Sequence, residues 1–170
     1  MNGQKTKLGE SIQKKCLIFL LLTAGGIVLD QITKMLAVKH LSGGKDIWLI
    51  RDVLCLTYAA NEGAAFSMMW GKRFFLLVFT SIIIAVIYLY AFHLIRRQGR
   101  LFPVILTGLT AAGATGNLID RIFRGYVVDF IYFAPIDFPV FNAADIMVVC
   151  GCIGLIILTI LTGDELKERE

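Results

Sequence analysis

Thr-Gly-Asn-Leu-Ile-Asp-Arg at 115–121, Val-Val-Asp-Phe at 127–130 and Phe-Asn-Ala-Ala-Asp at 141–145 form the stretch around which this chain is organised. These segments place three carboxylates, one arginine and two asparagines at the ends of two strongly apolar runs. A charged side chain at the centre of a bilayer costs about 2.5–3.5 kcal/mol even by insertion scales. We therefore interpret these polar residues as functional, and the rest of the chain as the scaffold that holds them.

The composition indicates an integral membrane protein. Of the 170 residues, 57% are hydrophobic and 18% are charged, whereas soluble domains average about 45–50% apolar and about 25% charged residues. The length suits a single domain over residues 1–170. We predict an all-α membrane protein with four transmembrane helices. The predicted spans cover residues 16–38, 74–95, 101–120 and 140–162.

The distribution of charges and cysteines excludes several classes of ligand. The net charge is only +4, and no basic stripe with interleaved aromatic residues is present, so we expect no nucleic-acid partner. The four cysteines form no Cys-x-x-Cys motif with histidine partners, which argues against a zinc or haem site. Gly-rich phosphate loops are missing as well. We predict no metal and no cofactor.

The first span carries two opposite charges near its far end. Its uncharged residues 16–29 cover about 21 Å at helical rise, so Asp30 and Lys34 fall near the far interface. An acid four residues before a base lies on the same helical face in the favourable order. We interpret them as an ion pair that tolerates partial burial, with a direct part in a functional site as the alternative. Residues 27–40 carry these charges and contain no small-x-small cleavage site, which favours a retained helix.

The connection over residues 39–73 is 35 residues long, and ordered loops of that length tend to be functional. Residues 47–50 and 53–58 are rich in β-branched and aromatic side chains, which predicts a small hairpin or sheet. We expect a β-containing extracytoplasmic platform between spans 1 and 2. Asn-Glu-Gly-Ala-Ala-Phe at 61–66 follows, in which Asn61 offers both a donor and an acceptor. A plain turn would explain this segment equally well.

The arginines at 96, 97 and 100 lie in a very short loop between two spans. Cations close to the ends of spans favour the cytoplasmic side. We therefore predict that this loop and both termini face the cytoplasm. Asp30, the 39–73 connection and the acids at 120–145 then all lie toward the outer face, which indicates one site at the outer interface.

Two of these acids, Asp129 and Asp145, are the best candidates for a catalytic pair. We expect Asp129 in or just after the end of the third span, and Asp145 about 8 Å below the start of the fourth. Two carboxylates in a site of low dielectric share one proton. The ionised member takes a proton from water while the protonated one polarises a carbonyl group, which is metal-free peptide hydrolysis.

Several amides and one arginine surround this pair in the sequence. Asn117, Asp120 and Arg121 are three to four residues apart and share one helical surface. The side chains that would orient an extended peptide by hydrogen bonds are Asn61, Asn117, Arg121 and Asn142.

Other hydrolytic chemistries lack their parts. The histidines are His40 and His93, and neither His-Glu-x-x-His nor Gly-x-Ser-x-Gly occurs. A Ser–Lys dyad would need Lys34 with Ser67 or Ser81, and Ser81 lies eight residues into the second span.

Five motifs in order carry a resemblance to a known family. They read Asp-Gln-Ile-Thr-Lys at 30–34, Asn-Glu-Gly-Ala-Ala-Phe at 61–66, Gly-Asn-Leu-Ile-Asp-Arg at 116–121, Val-Val-Asp-Phe at 127–130 and Phe-Asn-Ala-Ala-Asp at 141–145. The chain resembles the lipoprotein signal peptidases (signal peptidase II), which are membrane aspartic peptidases. The signatures of pepsin-like and presenilin-like proteases are absent.

This resemblance implies an activity, a substrate and a location. It implies cleavage of diacylglyceryl-modified bacterial prolipoproteins, on the N-terminal side of the lipid-modified cysteine, by a monomer in the cytoplasmic membrane in contact with its lipid. It also implies the residue roles: a catalytic pair (Asp129 and Asp145), substrate-binding residues (Asn61, Asn117, Arg121 and Asn142) and supporting residues (Asp30, Lys34 and Asp120).

Two other functional interpretations compete with a peptidase. The intramembrane acids would also suit a small proton- or cation-coupled transporter subunit. Such a path needs polar groups through the full depth of the membrane, and the inner half of every predicted span is nearly free of them. A purely structural membrane subunit gives no reason for the acids to cluster on one side.

Overall fold

The computed structural model describes residues 2–63, 70–97 and 99–167, with side chains described within 9–63, 74–97 and 99–161. Residues 64–66 of the Asn61 motif, and Ser67, lie outside the described residues. The helices are α1 (Asn2–Leu41), α2 (Trp70–Arg96), α3 (Phe102–Phe123) and α4 (Ala143–Lys167). The strands are β1 (Ile47–Ile50), β2 (Leu54–Asn61), β3 (Val127–Phe133) and β4 (Phe138–Phe141).

The four predicted spans are confirmed in the described part of the chain, with changes at their ends. The segments long and apolar enough to cross a membrane are Gly9–Leu41, Phe74–Arg96, Phe102–Phe123 and Ala143–Leu161. The first helix begins well before residue 16 because its polar N-terminal residues are mostly good helix formers. The fourth span begins at Ala143 instead of residue 140, because residues up to Phe141 form β4.

The sheet is larger than the hairpin expected between the first two spans. It has four antiparallel strands in the order β1-β2-β3-β4. Strands β3 and β4 follow the third span. The sheet is therefore built from the connection between spans 1 and 2 and from the connection between spans 3 and 4. The predicted strands between spans 1 and 2 are confirmed, and the sheet also includes Val127–Phe133, which pairs along β2 with Asn61 opposite Val127 and Ala59 opposite Asp129.

Strand β1, at the edge of the sheet, exposes an apolar surface. The four side chains Ile47, Trp48, Leu49 and Ile50 are each about half exposed. An exposed apolar patch of this kind indicates contact with another apolar phase. The platform therefore suits a position at the membrane surface.

Helix α3 is the central helix and packs against each of the other three. Small residues allow this close approach, as expected for helices in lipid. A Cβ added to Gly108 would lie 3.5 Å from the Leu22 side chain of α1, and one added to Gly113 would meet the carbonyl oxygen of Ala144 in α4. One added to Gly116 would meet the Asp30 carboxylate. The small residues of α3 therefore bring α1 and α4 together at one end of the bundle.

At the opposite end, Lys15 ties α1 to the end of α2. Its ammonium donates to the carbonyl oxygen of Arg97 at 2.8 Å, and the side chain is buried. Arg96 lies over the Phe92 ring, 4.3 Å from its centroid. These contacts fix the short basic loop against the bundle.

Candidate active site

Two carboxylates from different elements are linked through one asparagine. Asp129 lies in the middle of β3, and Asp145 lies in the first turn of α4. Asn142 separates β4 from α4 and is fully buried. The expectation that Asp145 lies about 8 Å inside its span was wrong, because α4 begins two residues before it.

Asn142 binds both acids. Its Nδ2 donates to Asp129 Oδ1 at 2.6 Å and to Asn117 Oδ1 at 3.2 Å. Its Oδ1 accepts from the Asp145 backbone N–H at 3.0 Å, while its own backbone N–H donates to Asp145 Oδ2 at 3.1 Å. This reciprocal pair is a capping box, with Asn142 as the N-cap and Asp145 three residues later. The residues that start α4 therefore also hold the two acids together.

The second carboxyl oxygen of Asp129 is held by β2. Asn61 Nδ2 donates to Asp129 Oδ2 at 2.9 Å, and Asn61 Oδ1 accepts from the backbone N–H of Gly63 at 2.9 Å. The contact with Gly63 fixes which way the amide points. Because Asn61 is the last residue of β2 and pairs across from β3, strand pairing sets this distance.

The environment of Asp129 favours its protonated form. The residue is 2% exposed. Burial raises the pKa of the Asp129 carboxyl above its ordinary value, hydrogen bonds from Asn61 and Asn142 oppose that rise, and the negative charge of Asp145 adds to it. A carboxyl group of this kind, close to a second acid, is suited to general acid–base catalysis.

A side chain of α3 holds the Asp145 carboxylate. Asn117 Nδ2 donates to Asp145 Oδ1 at 2.8 Å, and Asn117 Oδ1 accepts from Lys34 Nζ at 2.8 Å. The ammonium group has no acceptor function, so it fixes the orientation of the Asn117 amide. Arg121 Nη1 lies 3.4 Å from the Asn117 carbonyl oxygen.

Lys34 is the centre of a second cluster, next to the acid pair, in which Lys34, Asp30 and Asp120 are fully buried. Its Nζ lies 2.9 Å from Asp30 Oδ2, 3.0 Å from Asp120 Oδ2 and 2.8 Å from Asn117 Oδ1. The predicted Asp30–Lys34 ion pair is therefore present, and Asp120 joins it. An ammonium group has three N–H donors, and all three are directed at these acceptors. Because its ammonium is used in this way, Lys34 does not fit the base of a Ser–Lys dyad.

The two buried acids of this cluster reach the elements that carry the acid pair. Asp30 Oδ1 accepts from the backbone N–H of Ala144 at 3.1 Å. Asp120 Oδ2 accepts from the backbone N–H of Val128, next to Asp129, at 3.1 Å. A carboxylate from α1 thus holds the start of α4, and a carboxylate from α3 holds β3.

The structure brings all nine residues singled out from the sequence into two adjoining clusters, and adds one. Gln31 Nε2 donates to Asp30 Oδ2 at 3.1 Å and to the Gly116 carbonyl oxygen at 3.2 Å. Gln31 lies within the quoted motif at 30–34, but spacing alone did not assign it a role. Each of the three asparagines expected to bind peptide donates from its side-chain nitrogen to a carboxylate of the acid pair.

The chain is similar to known proteins of one family. A family profile described as Signal peptidase (SPase) II matches residues 22–161. The chain is 42% identical over 148 residues to the lipoprotein signal peptidase of Clostridium tetani, covering 85% of this chain and 93% of that protein. It is 43% identical over 158 residues to that of Geobacillus thermodenitrificans, covering 92% and 98%.

A solved bacterial membrane enzyme superposes on the chain with a TM-score of 0.73 and 33% identity, covering 82% of this chain and 90% of that one. A second bacterial membrane enzyme gives a TM-score of 0.71 at 31% identity, covering 89% and 93%. The four-helix plan, the acid pair and these matches together place the chain in the signal peptidase II family.

Proposed function

We propose that this chain is a membrane aspartic endopeptidase that removes the signal peptide from diacylglyceryl-modified prolipoproteins, on the N-terminal side of the modified cysteine. The observation that carries the proposal is the link between Asp129 and Asp145 through Asn142. The named relatives are lipoprotein signal peptidases, which supports this class of substrate.

The geometry suits hydrolysis by a shared proton. One carboxylate accepts a proton from water, whose oxygen then attacks the carbonyl carbon of the scissile bond. The protonated partner donates to the carbonyl oxygen, and the same groups return a proton to the leaving nitrogen. Asn142, Asn61 and Asn117 keep the two acids in place, so little reorganisation is needed during the reaction.

A lipid-modified substrate fits the surroundings of the pair. The acids lie where α3 and α4 meet the sheet, and the spans expose apolar side chains on their outer surfaces. Acyl chains that stay in the bilayer contribute about 0.8 kcal/mol per buried methylene. Two such chains therefore dominate the binding of a short extended peptide, and we expect the protein to act as a monomer in contact with membrane lipid.

The same proposal includes an orientation in the cytoplasmic membrane. The basic loop that ends at Arg100, together with both chain termini, is assigned to the cytoplasmic side. The sheet and the acid pair are then near the outer face. The exposed apolar strand β1 supports a platform resting on the outer surface of the bilayer.

Nothing in the described residues favours a transporter. Between Lys15 and the acid cluster, the buried polar side chains are threonines bonded to backbone carbonyls: Thr23 to Gly108, Thr107 to Pro103 and Thr110 to Leu106. These hydroxyls do not titrate, so the described part of the bundle holds no series of proton carriers through its depth.

Cleavage by the purified protein tests the proposal. We expect detergent-solubilised protein to release the signal peptide from a diacylglyceryl prolipoprotein, leaving an N-terminal modified cysteine detectable by mass spectrometry. Asp129→Asn and Asp145→Asn should each abolish release, and the double variant should be no worse, because residues acting as a unit are not additive. Asp52→Asn, at an exposed turn, is the matched control.

Two results would contradict the proposal. One is retention of more than a small fraction of wild-type turnover by either single variant while Asp52→Asn is fully active. The other concerns the lipid: equal rates on substrates with and without the diacylglyceryl group would refute the assigned substrate class while leaving the acid pair in place.

A further inference from the structure

We propose that Asp129 carries the proton of the pair in the resting protein and that Asp145 is the ionised carboxylate, so that Asp145 activates water and Asp129 protonates the scissile carbonyl. This inference rests on the proposed aspartic peptidase function and assigns a separate task to each acid. The two residues have the same side chain, so their surroundings must decide between them.

Asp145 lies at the end of a helix that favours negative charge. It occupies the first turn of α4, and Oδ2 accepts from the Asn142 backbone N–H at 3.1 Å. The N-terminus of a helix carries a partial positive charge, which stabilises a carboxylate there. The capping box also requires Asp145 to act as an acceptor. Both features hold only while this side chain offers acceptor oxygens, which the ionised form does best.

The charged groups near the pair also favour ionised Asp145. The guanidinium of Arg121 donates to the backbone carbonyl oxygen of Asn117, whose side-chain amide donates to Asp145. The ammonium of Lys34 is bonded to Asp30 and Asp120 instead. The cation next to the pair therefore lies on the side of Asp145.

Asp129 lies in the less hydrated position of the two. It is buried within β3, whereas Asp145 is only partly buried. Its hydrogen-bond donors are the neutral amides of Asn61 and Asn142, with no helix terminus. Each carboxyl oxygen has a second lone pair, so a proton on Asp129 displaces neither amide. Burial raises the pKa of Asp129, in agreement with this geometry.

The assignment gives a balanced reaction. Water transfers a proton to Asp145 as its oxygen bonds to the carbonyl carbon, and the carbonyl oxygen takes the proton from Asp129. In the second step Asp145 donates its proton to the leaving nitrogen as the C–N bond breaks. Asp129 then recovers a proton from the hydroxyl group that becomes the new carboxyl. One water is consumed, and the pair returns to its starting state.

Infrared spectroscopy tests the assignment without any substrate. A protonated carboxyl group has a carbonyl stretching band that a carboxylate lacks. We would record spectra of folded wild type, Asp129→Asn, Asp145→Asn and Asp52→Asn at neutral pH, in a detergent that contains no ester. Wild type should show a protonated-carboxyl band that Asp129→Asn removes, and Asp145→Asn and Asp52→Asn should both retain it.

The opposite pattern overturns the proposal: a band retained in Asp129→Asn and lost in Asp145→Asn places the proton on Asp145. If Asp129→Asn does not fold, Asp145→Asn decides alone: retention of the neutral-pH band supports a proton on Asp129, and its loss overturns the proposal, because burial, the main cause of the raised pKa of Asp129, remains in that variant. Absence of prolipoprotein cleavage by wild type would instead remove the proposed function, and it would leave the infrared assignment standing. The two failures are therefore distinguishable.

Discussion

Replacement of Lys34 by methionine should strongly destabilise the protein. Methionine nearly fills the volume but removes the ammonium, which leaves Asp30 and Asp120 buried without the cation that now lies within 3.0 Å of both. Removing one partner of a buried ion pair costs about 3–5 kcal/mol. For a chain of this size, 1 kcal/mol corresponds to about 2–4 °C in Tm, so the expected fall is about 6–20 °C.

The two carboxylates differ in what remains to them after that change. Asp120 keeps the Arg124 guanidinium, whose Nε lies 3.4 Å away, and the Val128 N–H. Among the described residues, Asp30 keeps Gln31 and the Ala144 N–H. Adding Asp30→Asn to Lys34→Met should therefore restore part of the lost stability, with a coupling of about 0.5–3 kcal/mol.

Thermal unfolding in one detergent measures both effects. Lys39→Met, at an exposed position of the same helix, is the control and should change Tm little. A Tm for Lys34→Met equal to that of Lys39→Met would refute the reasoning, as would a double variant less stable than Lys34→Met. Either result would mean that protonation or hydration of Asp30 and Asp120 in the variant costs a negligible free energy.

Three further changes test other parts of the structure. Gly116→Ala should lower Tm and cleavage because its Cβ meets the Asp30 carboxylate, whereas Gly25→Ala, with nothing within 4 Å, should be neutral; equal behaviour of the two would contradict this packing. Because the folded pKa of Asp129 is raised, this residue makes stability fall as pH rises from the ordinary value of 3.8 toward the raised value. Asp129→Asn should therefore gain stability relative to wild type across that window, and a constant difference between their Tm values would count against it. Gly99→Cys should resist an impermeant thiol reagent in intact cells and react after lysis, and labelling of intact cells would reverse the proposed orientation.

The helices were predictable because local composition decides them. Runs of apolar residues long enough to span a bilayer specify each helix without reference to the others. The Asp30–Lys34 pair was also local, since one helical turn separates the two residues. Its buried partner Asp120 was not predicted as a partner, because that contact joins two helices distant in the sequence.

The sheet and the hydrogen bonds of the acid pair required long-range information. The segment 127–133 was read as the region following a span, yet it pairs with β2, whose residue Asn61 meets Asp129 across 68 positions of sequence. No periodicity within either segment specifies that register. The capping box of Asn142 and Asp145 has the right spacing in the sequence, but spacing did not show that the same amide binds Asp129.

The use of every polar atom of Asn142 has a consequence for resistance to inhibitors. A compound that binds between the two acids contacts groups whose positions depend on this one side chain, through its contacts with Asn117, Asp129 and Asp145. A substitution at position 142 that weakened such a compound would also remove the side-chain cap at the start of α4 and the hydrogen bond to Asp129. Resistance substitutions are therefore expected at exposed positions around the acid pair. There a substitution can weaken binding of an inhibitor without weakening binding of the substrate.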